Sequence, residues 1–588
     1  MTSSLPDAAP NLVQPGGSSG VTPATQSADV VLMKAEWLPV LFAKAPTRAS
    51  LLELRPSWPL QKVSVRVHRN LSCEFISSVA APYLAFAGFE VNWIYGGYDD
   101  SLAFAESGNV DVELVWLDYS RFPKLTSGEL VTWLASRLAD LRSRTRSPIL
   151  INGDIREESD LNRLLLEAID PLPGVHVCNL ANIREETGEP LLDVRNQKVA
   201  GLPYSNIASV LIARQLGCRW LPGVLSAGIK AIVLDLDQTL YAGVLGEDGP
   251  LGLRLSDAHL QLQRTLLRYR DRGIFLAICS RNEPEDVWAM FSQRPDMVLR
   301  PEHLSAHSIS WDSKALGLQN IAGDLRIGVD SMLFVDDNAG ELASIATQLE
   351  GTRFLHAGPD PNVTRIALRN FPGLHKWRDD KTDELRIADL AATAKRLDAA
   401  SEGFSRDYLK SLHATVGFRV SLKNDAHRLQ ELSGKTNQFN LRLSRFDASD
   451  VAQYISSDQC RAVGVELADR LSDSGLIAAV FTRVVGDDCY VDEVCVSCRA
   501  LGRGLEDLLV LGAVRAGFAD GSTPAALYVS YAVGPRNGPA LQWLRRLTGE
   551  PLNEENGVVS LDWTRCSRLL EDIEPFVNEI KVQVERDT

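Results

Sequence analysis

The sequence predicts a multidomain α/β protein whose middle third is a Rossmann-like layer of buried parallel strands. Three observations predict it. At 588 residues the chain is too long for one core and matches roughly three to four domains. Short apolar runs alternate with segments of helical spacing over most of residues 35–375. Three of the middle runs end in Asp or Ser, at the carboxyl end where open parallel sheets bind ligands.

Composition narrows the function classes. The 45% hydrophobic and 23% charged content is that of ordinary globular protein. A formal net charge of −15 repels polyanions, and no basic run offsets it, so nucleic acid is not expected as a partner. Residues 1–34 open with a Ser-, Pro-, Gly- and Ala-rich stretch that cannot fill a core, which predicts a disordered tail. That stretch lacks the charged and apolar regions of a signal peptide, and no later run is long enough to span a bilayer. A cytoplasmic protein without membrane contact is expected. Nine scattered cysteines then read as free thiols. Cys495 and Cys498 form a single C-x-x-C without the further ligands of a structural zinc site.

Residues 35–225 form the first predicted domain, an α/β layer. Its strand candidates are Val63–Val67, Val112–Leu117, Pro148–Asn152 and Val175–Asn179, with helical segments at Gly128–Arg142 and Asp160–Ala168. Several of these strands end in polar residues, Asn70, Asp118 and Asn152-Gly-Asp154 among them, which either line a pocket or cap the following turns.

Residues 226–375 form the second. Lys230-Ala-Ile-Val-Leu-Asp-Leu-Asp-Gln-Thr-Leu240 is an apolar strand ending in Asp235, followed by Asp237 and Thr239. A helix around His259–Arg272 leads to Gly273–Ser280, a second strand ending in a hydroxyl. Trp311-Asp-Ser-Lys314 places a cation near a helix start, and Ser331–Asn338 is a third strand, ending in Asp336 and Asp337. Each piece alone is common, but in this order they specify one chemistry. Three clustered carboxylates are costly unless a cation neutralises them, and oxygen ligands point to Mg²⁺. Asp235 is placed to attack a phosphoryl group held by Ser280 and Lys314, while Asp237 protonates the leaving oxygen and later activates water. That is phosphoryl transfer through an aspartyl-phosphate.

The order D-x-D-x-T, Ser, Lys, D-D resembles the haloacid dehalogenase (HAD) superfamily of phosphatases. The gaps between Asp237, Ser280 and Lys314 leave no room for a large cap, so the site should be open enough to admit a macromolecule. Leu240–Gly249 and Leu276-Ala-Ile-Cys-Ser-Arg-Asn282 narrow the resemblance to the FkbH-like proteins of polyketide pathways, HAD subfamily IIIC. The resemblance implies a glyceryl unit drawn from 1,3-bisphosphoglycerate with loss of phosphate and loaded onto an acyl carrier protein. It implies metal binding by Asp235, Asp336, Asp337 and, through its backbone, Asp237; phosphate and substrate binding by Thr239, Ser280, Asn282 and Lys314; and a glyceryl thioester on Cys279. By default a strand-end cysteine is a small buried hydrophobe, but a neighbouring Lys314 and Mg²⁺ would favour its thiolate. Gln238, Arg281 and Ala339 stand where this family commonly has Asn, Lys and Pro.

Residues 376–405 read as a charged, Ala-rich linker helix, and residues 406–588 as a third domain. Gly434–Leu441 mixes polar and aromatic residues and either shapes a groove or forms a turn. The strands Val463–Leu467, Leu476–Val484 and Cys489–Cys498 lead into Arg499-Ala-Leu-Gly-Arg-Gly504 and an apolar-striped helix, Leu505–Phe518. A strand followed by R-x-x-G-x-G at a helix start offers backbone N–H groups to an anion. The layout resembles the GNAT acyltransferases, which implies phosphopantetheine or CoA held by Arg499, Gly502, Arg503 and Gly504, with Asn537-Gly-Pro-Ala540 closing over it. The family resemblance also makes the first domain SGNH-like; without a G-D-S block or a D-x-x-H, no hydrolase activity is expected there. Docking of an acidic carrier protein would need a local basic face, for which Lys435, Arg442, Arg445, Arg499 and Arg503 are the candidates. Two other functions stay open: a plain phosphatase, and a CoA-dependent acyltransferase beside an inactive phosphatase scaffold.

Overall fold

The computed structural model describes residues 27–105, 108–156, 160–180, 183, 188, 190–378, 385–390, 392, 406–501, 503–518, 523–534, 536–553 and 555–584. The chain divides into two compact units, one reaching to Ala392 and one beginning at Thr393.

The first unit holds two parallel sheets. Strands β1 (Gln61–Arg69), β2 (Phe89–Tyr98), β3 (Val112–Trp116), β4 (Ile149–Asn152) and β5 (Val175–Cys178) lie in the order β2-β1-β3-β4-β5. Strands β6 (Ala231–Leu234), β7 (Phe275–Ser280), β8 (Ala306–Ile309), β9 (Met332–Asp336) and β10 (Arg353–His356) lie in the order β10-β9-β6-β7-β8, again all parallel. The central strands are buried throughout, as expected where helices cover both faces. The four strands anticipated in the first sheet are present and β2 joins them at one edge, while β8 and β10 form the two edges of the second sheet.

One apolar core runs through both sheets. Helix Glu74–Ala87 and the turns of residues 206–225 pack between them, Phe86 lies edge-on to Phe371 at 6.0 Å, and Gln215 donates to Asn370 Oδ1 at 3.2 Å. The boundary at residues 225 and 226 therefore separates sheets but not cores.

The expected tail is shorter than 34 residues. A helix spans Ala28–Leu41, capped by the Ser27 hydroxyl, and buries Val31, Trp37, Leu38 and Leu41. Val31 joins the core beside β6 and β9, whereas Trp37 and Leu38 join the core that reaches the first sheet. These four apolar side chains supply burial that the composition of the preceding residues does not. The tail before residue 27 lies outside the described residues, as does most of the anticipated linker helix; only 385–390 and 392 of that helix are described, and they are helical.

The second unit is a seven-stranded sheet of β11 (Thr415–Val420), β12 (Cys460–Asp469), β13 (Ser472–Val485), β14 (Asp488–Val496), β15 (Leu527–Ala532), β16 (Asn556–Leu561) and β17 (Glu579–Val584). Their order is β16-β15-β14-β13-β12-β11-β17, antiparallel except for the pairs β14 with β15 and β11 with β17. Helices Ala426–Lys435 and Ala448–Ser456 cover one face, and helices Glu506–Ala516, Gly538–Thr548 and Trp563–Ile573 the other.

Candidate phosphoryl-transfer site and the second unit

Strand register builds the first site. Asp235 follows β6 and donates its backbone N–H to Val335 O of β9 at 2.9 Å, which sets it level with Asp336 at the end of that strand. Oxygen atoms of Asp235, Asp336 and Asp337 all lie within 4.8 Å of one another. Lys314, the first residue of helix Lys314–Leu325, reaches the cluster. Its Nζ lies 3.2 Å from Asp235, 2.5 Å from Asp336 and 3.1 Å from Glu341. Glu341 also pairs with Arg281 at 2.8 Å. Four carboxylates thus face two cations, an excess of two negative charges.

Burial makes that excess expensive. Desolvation and the neighbouring Asp336 push the Asp235 carboxyl up to about 7, against the pull of Lys314 and a hydrogen bond from Ser280. Burial and Asp336 raise Asp337 as well. Burial opposes the charge on Lys314, but Asp235, Asp336 and Glu341 outweigh it and hold the ammonium above its ordinary range. Three oxygen donors at one point, with two uncompensated charges, fit a hard divalent cation of the Mg²⁺ kind.

Asp237 stands apart from the three. Its Oδ1 accepts from Tyr241 Oη at 2.8 Å and Leu245 N at 3.0 Å, and its Oδ2 from Asn282 Nδ2 at 3.1 Å. Its carboxylate is therefore aimed and held, and the atom it would offer a metal is its backbone carbonyl. Asn282 also donates to Ser280 Oγ at 3.1 Å, which ties the second strand to Asp237. Thr239 is buried and its Oγ1 has no partner among the described residues. Gln238 has φ 54°, the left-handed region that Asn adopts more readily, and Ala339 is the first residue of a helix, where Pro is favoured but not required.

Two contributors went unread in the sequence. Glu341 sits in the first turn of helix Ala339–Ala346, three residues after its cap Asn338, whose Oδ1 accepts from Glu341 N at 3.1 Å. An N-x-x-E spacing after the paired aspartates was the available signal. Tyr241 was visible only as the residue four after Asp237.

Cys279 departs from expectation. Side chains alternate across a strand, so Cys279 points into the apolar core with Ala231, Val233 and Ala277, while Ser280 bonds Asp235. Its thiol lies against helix Lys314–Leu325, 3.7 Å from Lys314 O, and so close to Gly317 that a Cβ there would meet Sγ at 2.8 Å. Burial pushes the thiol up to about 12; Lys314 lowers it, but Asp235, Asp336 and Glu341 act with burial. Lys314 thus acts on the thiol in the direction the sequence suggested, and burial with the three carboxylates opposes it.

The second unit corrects the anion-loop expectation. Arg503 is 1% exposed, pairs with Asp469 at 2.9 Å and donates to Ser474 Oγ at 2.6 Å and Arg499 O at 3.0 Å. Arg499 is also buried and donates to Ser474 O at 2.8 Å. Gly504 has φ 73°, so it serves the turn, and Gly502 lies outside the described residues. The helix that follows carries Glu506 and Asp507 in its first turn, and Asp507 accepts from Trp543 Nε1 at 2.8 Å. Acidic residues already occupy the helix end that would have drawn a pyrophosphate.

The gap between β14 and β15 is filled as well. These parallel strands pair only from Cys489 to Val491. Beyond that, residues Phe439–Leu441 lie between them. Leu441 N donates to Val494 O at 3.1 Å, Val496 N to Phe439 O at 2.8 Å, and Ala532 N to Leu441 O at 2.9 Å. Asn537 locks the insertion, donating to Asn440 O at 2.9 Å and Ala532 O at 2.8 Å. Buried Glu493 accepts from Arg442 N and Ser444 N at 3.0 and 2.8 Å. Of the stretch Gly434–Leu441, Gly434 and Lys435 close helix Ala426–Lys435, and only Phe439–Leu441 insert between the strands. Of the proposed docking cations, Lys435 pairs with Glu431 and Arg445 caps the carbonyls of Ser433, Gly434 and Thr436, so with Arg499 and Arg503 four of the five are spent internally.

Among the described residues no helix is long and apolar enough to cross a membrane. No family model matches the sequence, and no curated protein matches it. Among solved structures, the chain is similar to the N-terminal part of a Bacteroides fragilis protein containing a phosphatase domain complexed with Mg, at 20% identity and TM-score 0.42, over 58% of this chain and 99% of that one. It is also similar to a fungal multi-domain β-N-acetylglucosaminidase with a GCN5-related glucosamine N-acetyltransferase region, at 12% identity and TM-score 0.13, over 90% and 67%. Both likenesses are too slight to carry an argument, and the chemistry rests on the arrangement around Asp235.

Proposed function

We propose that the first unit is a Mg²⁺-dependent phosphoryl-transfer enzyme of the HAD kind that works through a phosphorylated Asp235. One observation carries this reading: a buried nucleophilic carboxylate shares its pocket with two more carboxylates, a lysine and a strand-end serine, with negative charge in excess. Asp235, Asp336, Asp337 and the Asp237 backbone would hold Mg²⁺, which supplies charge neutralisation for the phosphoryl oxygens. Asp235 forms the bond to phosphorus as the bond to the leaving oxygen breaks. Lys314 and Ser280 bind phosphoryl oxygens, and Lys314 keeps Asp235 and Asp336 together. Asp237, fixed by Tyr241, Leu245 N and Asn282, gives a proton to the leaving oxygen and takes one from the water that hydrolyses the aspartyl-phosphate.

The test is intact and peptide mass spectrometry after mixing the protein with acetyl phosphate and Mg²⁺. A phosphoryl adduct on Asp235, absent in Asp235→Asn, supports the reading; phosphate release that survives the substitution defeats it.

A second reading rests on the position of Cys279, next in chain to Ser280 and against Lys314. Here the resemblance to FkbH-like proteins supports an acyl phosphate, 1,3-bisphosphoglycerate, as donor, Cys279 as transient glyceryl carrier, and an acyl carrier protein as acceptor through its phosphopantetheine. Its chemistry requires the buried thiol to become accessible. A glyceryl adduct lost in Cys279→Ala selects this reading, whereas full phosphate release by that variant without any adduct selects the phosphatase.

A further inference from the structure

The carboxyl end of the first sheet carries a cleft that the phosphoryl chemistry does not use. It lies where β3 and β4 end, beside the point at which strand order reverses about β1, the usual ligand position in an open parallel sheet. Its volume is about 230 Å³, far above the roughly 10–15 Å³ that suffices for one water.

The polar lining is built and mostly fixed. Asn70 Oδ1 accepts from Asp118 N at 2.7 Å, and Asn152 holds both backbone groups of Leu117. Asp118 Oδ1 accepts from Ser120 N at 2.9 Å, and Asp193 Oδ1 from Arg195 N at 2.8 Å, which leaves the second oxygen of each carboxylate uncommitted among the described residues. Asp154 is neutralised by Arg156, whose Nη2 lies 2.7 Å away. One group lacks a partner. Tyr204 is 4% exposed, its ring packs edge-on to Trp116, and it lines the cleft with no hydrogen bond to its hydroxyl among the described residues.

These features select a ligand chemistry. Among the described residues three carboxylates against Arg156 leave the lining negative, which disfavours anions. The three are not gathered tightly enough to appear as a metal-binding group among the described residues. Among the described residues no His or Cys lines the cleft, and the Ser120 hydroxyl is already donated to Asp118 at 2.6 Å, so none of them is a prepared nucleophile. We propose that this cleft is a binding site for a small hydroxylated amine, of the amino-sugar or amino-alcohol class: the ammonium against Asp118 and Asp193, a ligand oxygen accepting from Tyr204.

Calorimetric titration of the full chain with glucosamine, glucose and inorganic phosphate tests it. Glucosamine should bind, glucose at least about tenfold more weakly, and phosphate should give no heat. Asp118→Asn, which keeps the oxygen that caps Ser120, should weaken glucosamine at least about tenfold, and Tyr204→Phe about threefold, each with unchanged phosphate release. Asp193→Asn provides the same charge test should Asp118→Asn fold poorly. No binding of glucosamine, binding no tighter than glucose, or affinity unaltered by loss of either carboxylate would overturn the proposal.

Discussion

The cluster around Asp235 and the turn from Arg499 to Gly504 both looked like anion sites, and they differ in one respect. At Asp235 charge is left over: Lys314 and Arg281 meet four carboxylates and cannot balance them. At Arg503 charge is exhausted, because Asp469, Ser474 and the Arg499 carbonyl take up the guanidinium at 1% exposure. A motif announces residue types, whereas a site needs charge that the fold has not already consumed. Four measurements press on that contrast.

The largest effect should come from Asp235→Asn. Phosphate release should fall at least about a thousandfold with Tm little changed, since the amide fills the same space but cannot attack phosphorus. A modest loss would mean that the surplus charge at β6 is not the reacting group.

Arg503→Met should do the opposite. Removing one partner of a buried ion pair strands Asp469, at a cost of about 3–5 kcal/mol read by urea unfolding of the second unit. A stable variant that instead loses affinity for an anionic ligand would restore the loop as a binding site.

The pH dependence of the metal-free protein comes next. Asp235 titrates at about 7 in the fold against an ordinary 3.8, so its contribution is complete below about pH 4 and is lost as pH rises through about 7. In EDTA, stability should drop by roughly 3 kcal/mol between pH 5 and 8. Added Mg²⁺ should restore it at pH 8 far more than at pH 5. Equal effects at both values would show that the carboxylates are not the metal's ligands.

Gln238→Asn should give the smallest change, a gain of about 0.5 kcal/mol, because the residue at φ 54° would be one that tolerates the left-handed region. Thermal melting with unchanged phosphate release checks it.

The legibility of the sequence follows the same division. Asp235, Ser280, Lys314 and the Asp336-Asp337 pair were readable because apolar runs fix strands and parallel strands bring their ends together. The side on which Cys279 lies was not legible from its neighbour Ser280, because adjacent strand residues face opposite ways and Cys279 packs in the core. Arg499 and Arg503 were misread because their partners, Asp469 and Ser474, lie far upstream and nothing local names them. The helix from Ala28 was hidden by the composition before it, although Val31, Trp37, Leu38 and Leu41 carry helical spacing. Strands β8 and β10 are four residues each at the sheet edges, too short for periodicity to show.

The segment Phe439–Leu441 makes the second unit its own competitor. Any extended ligand seeking the opening between β14 and β15 must displace a strand tethered at both ends, present at an effective concentration on the order of millimolar. Its apparent affinity is scaled by the fraction of molecules in which that strand has left. Amide exchange at Leu441, Val496 and Ala532 would read this fraction directly, and weakening the Asn537 clasp would raise it.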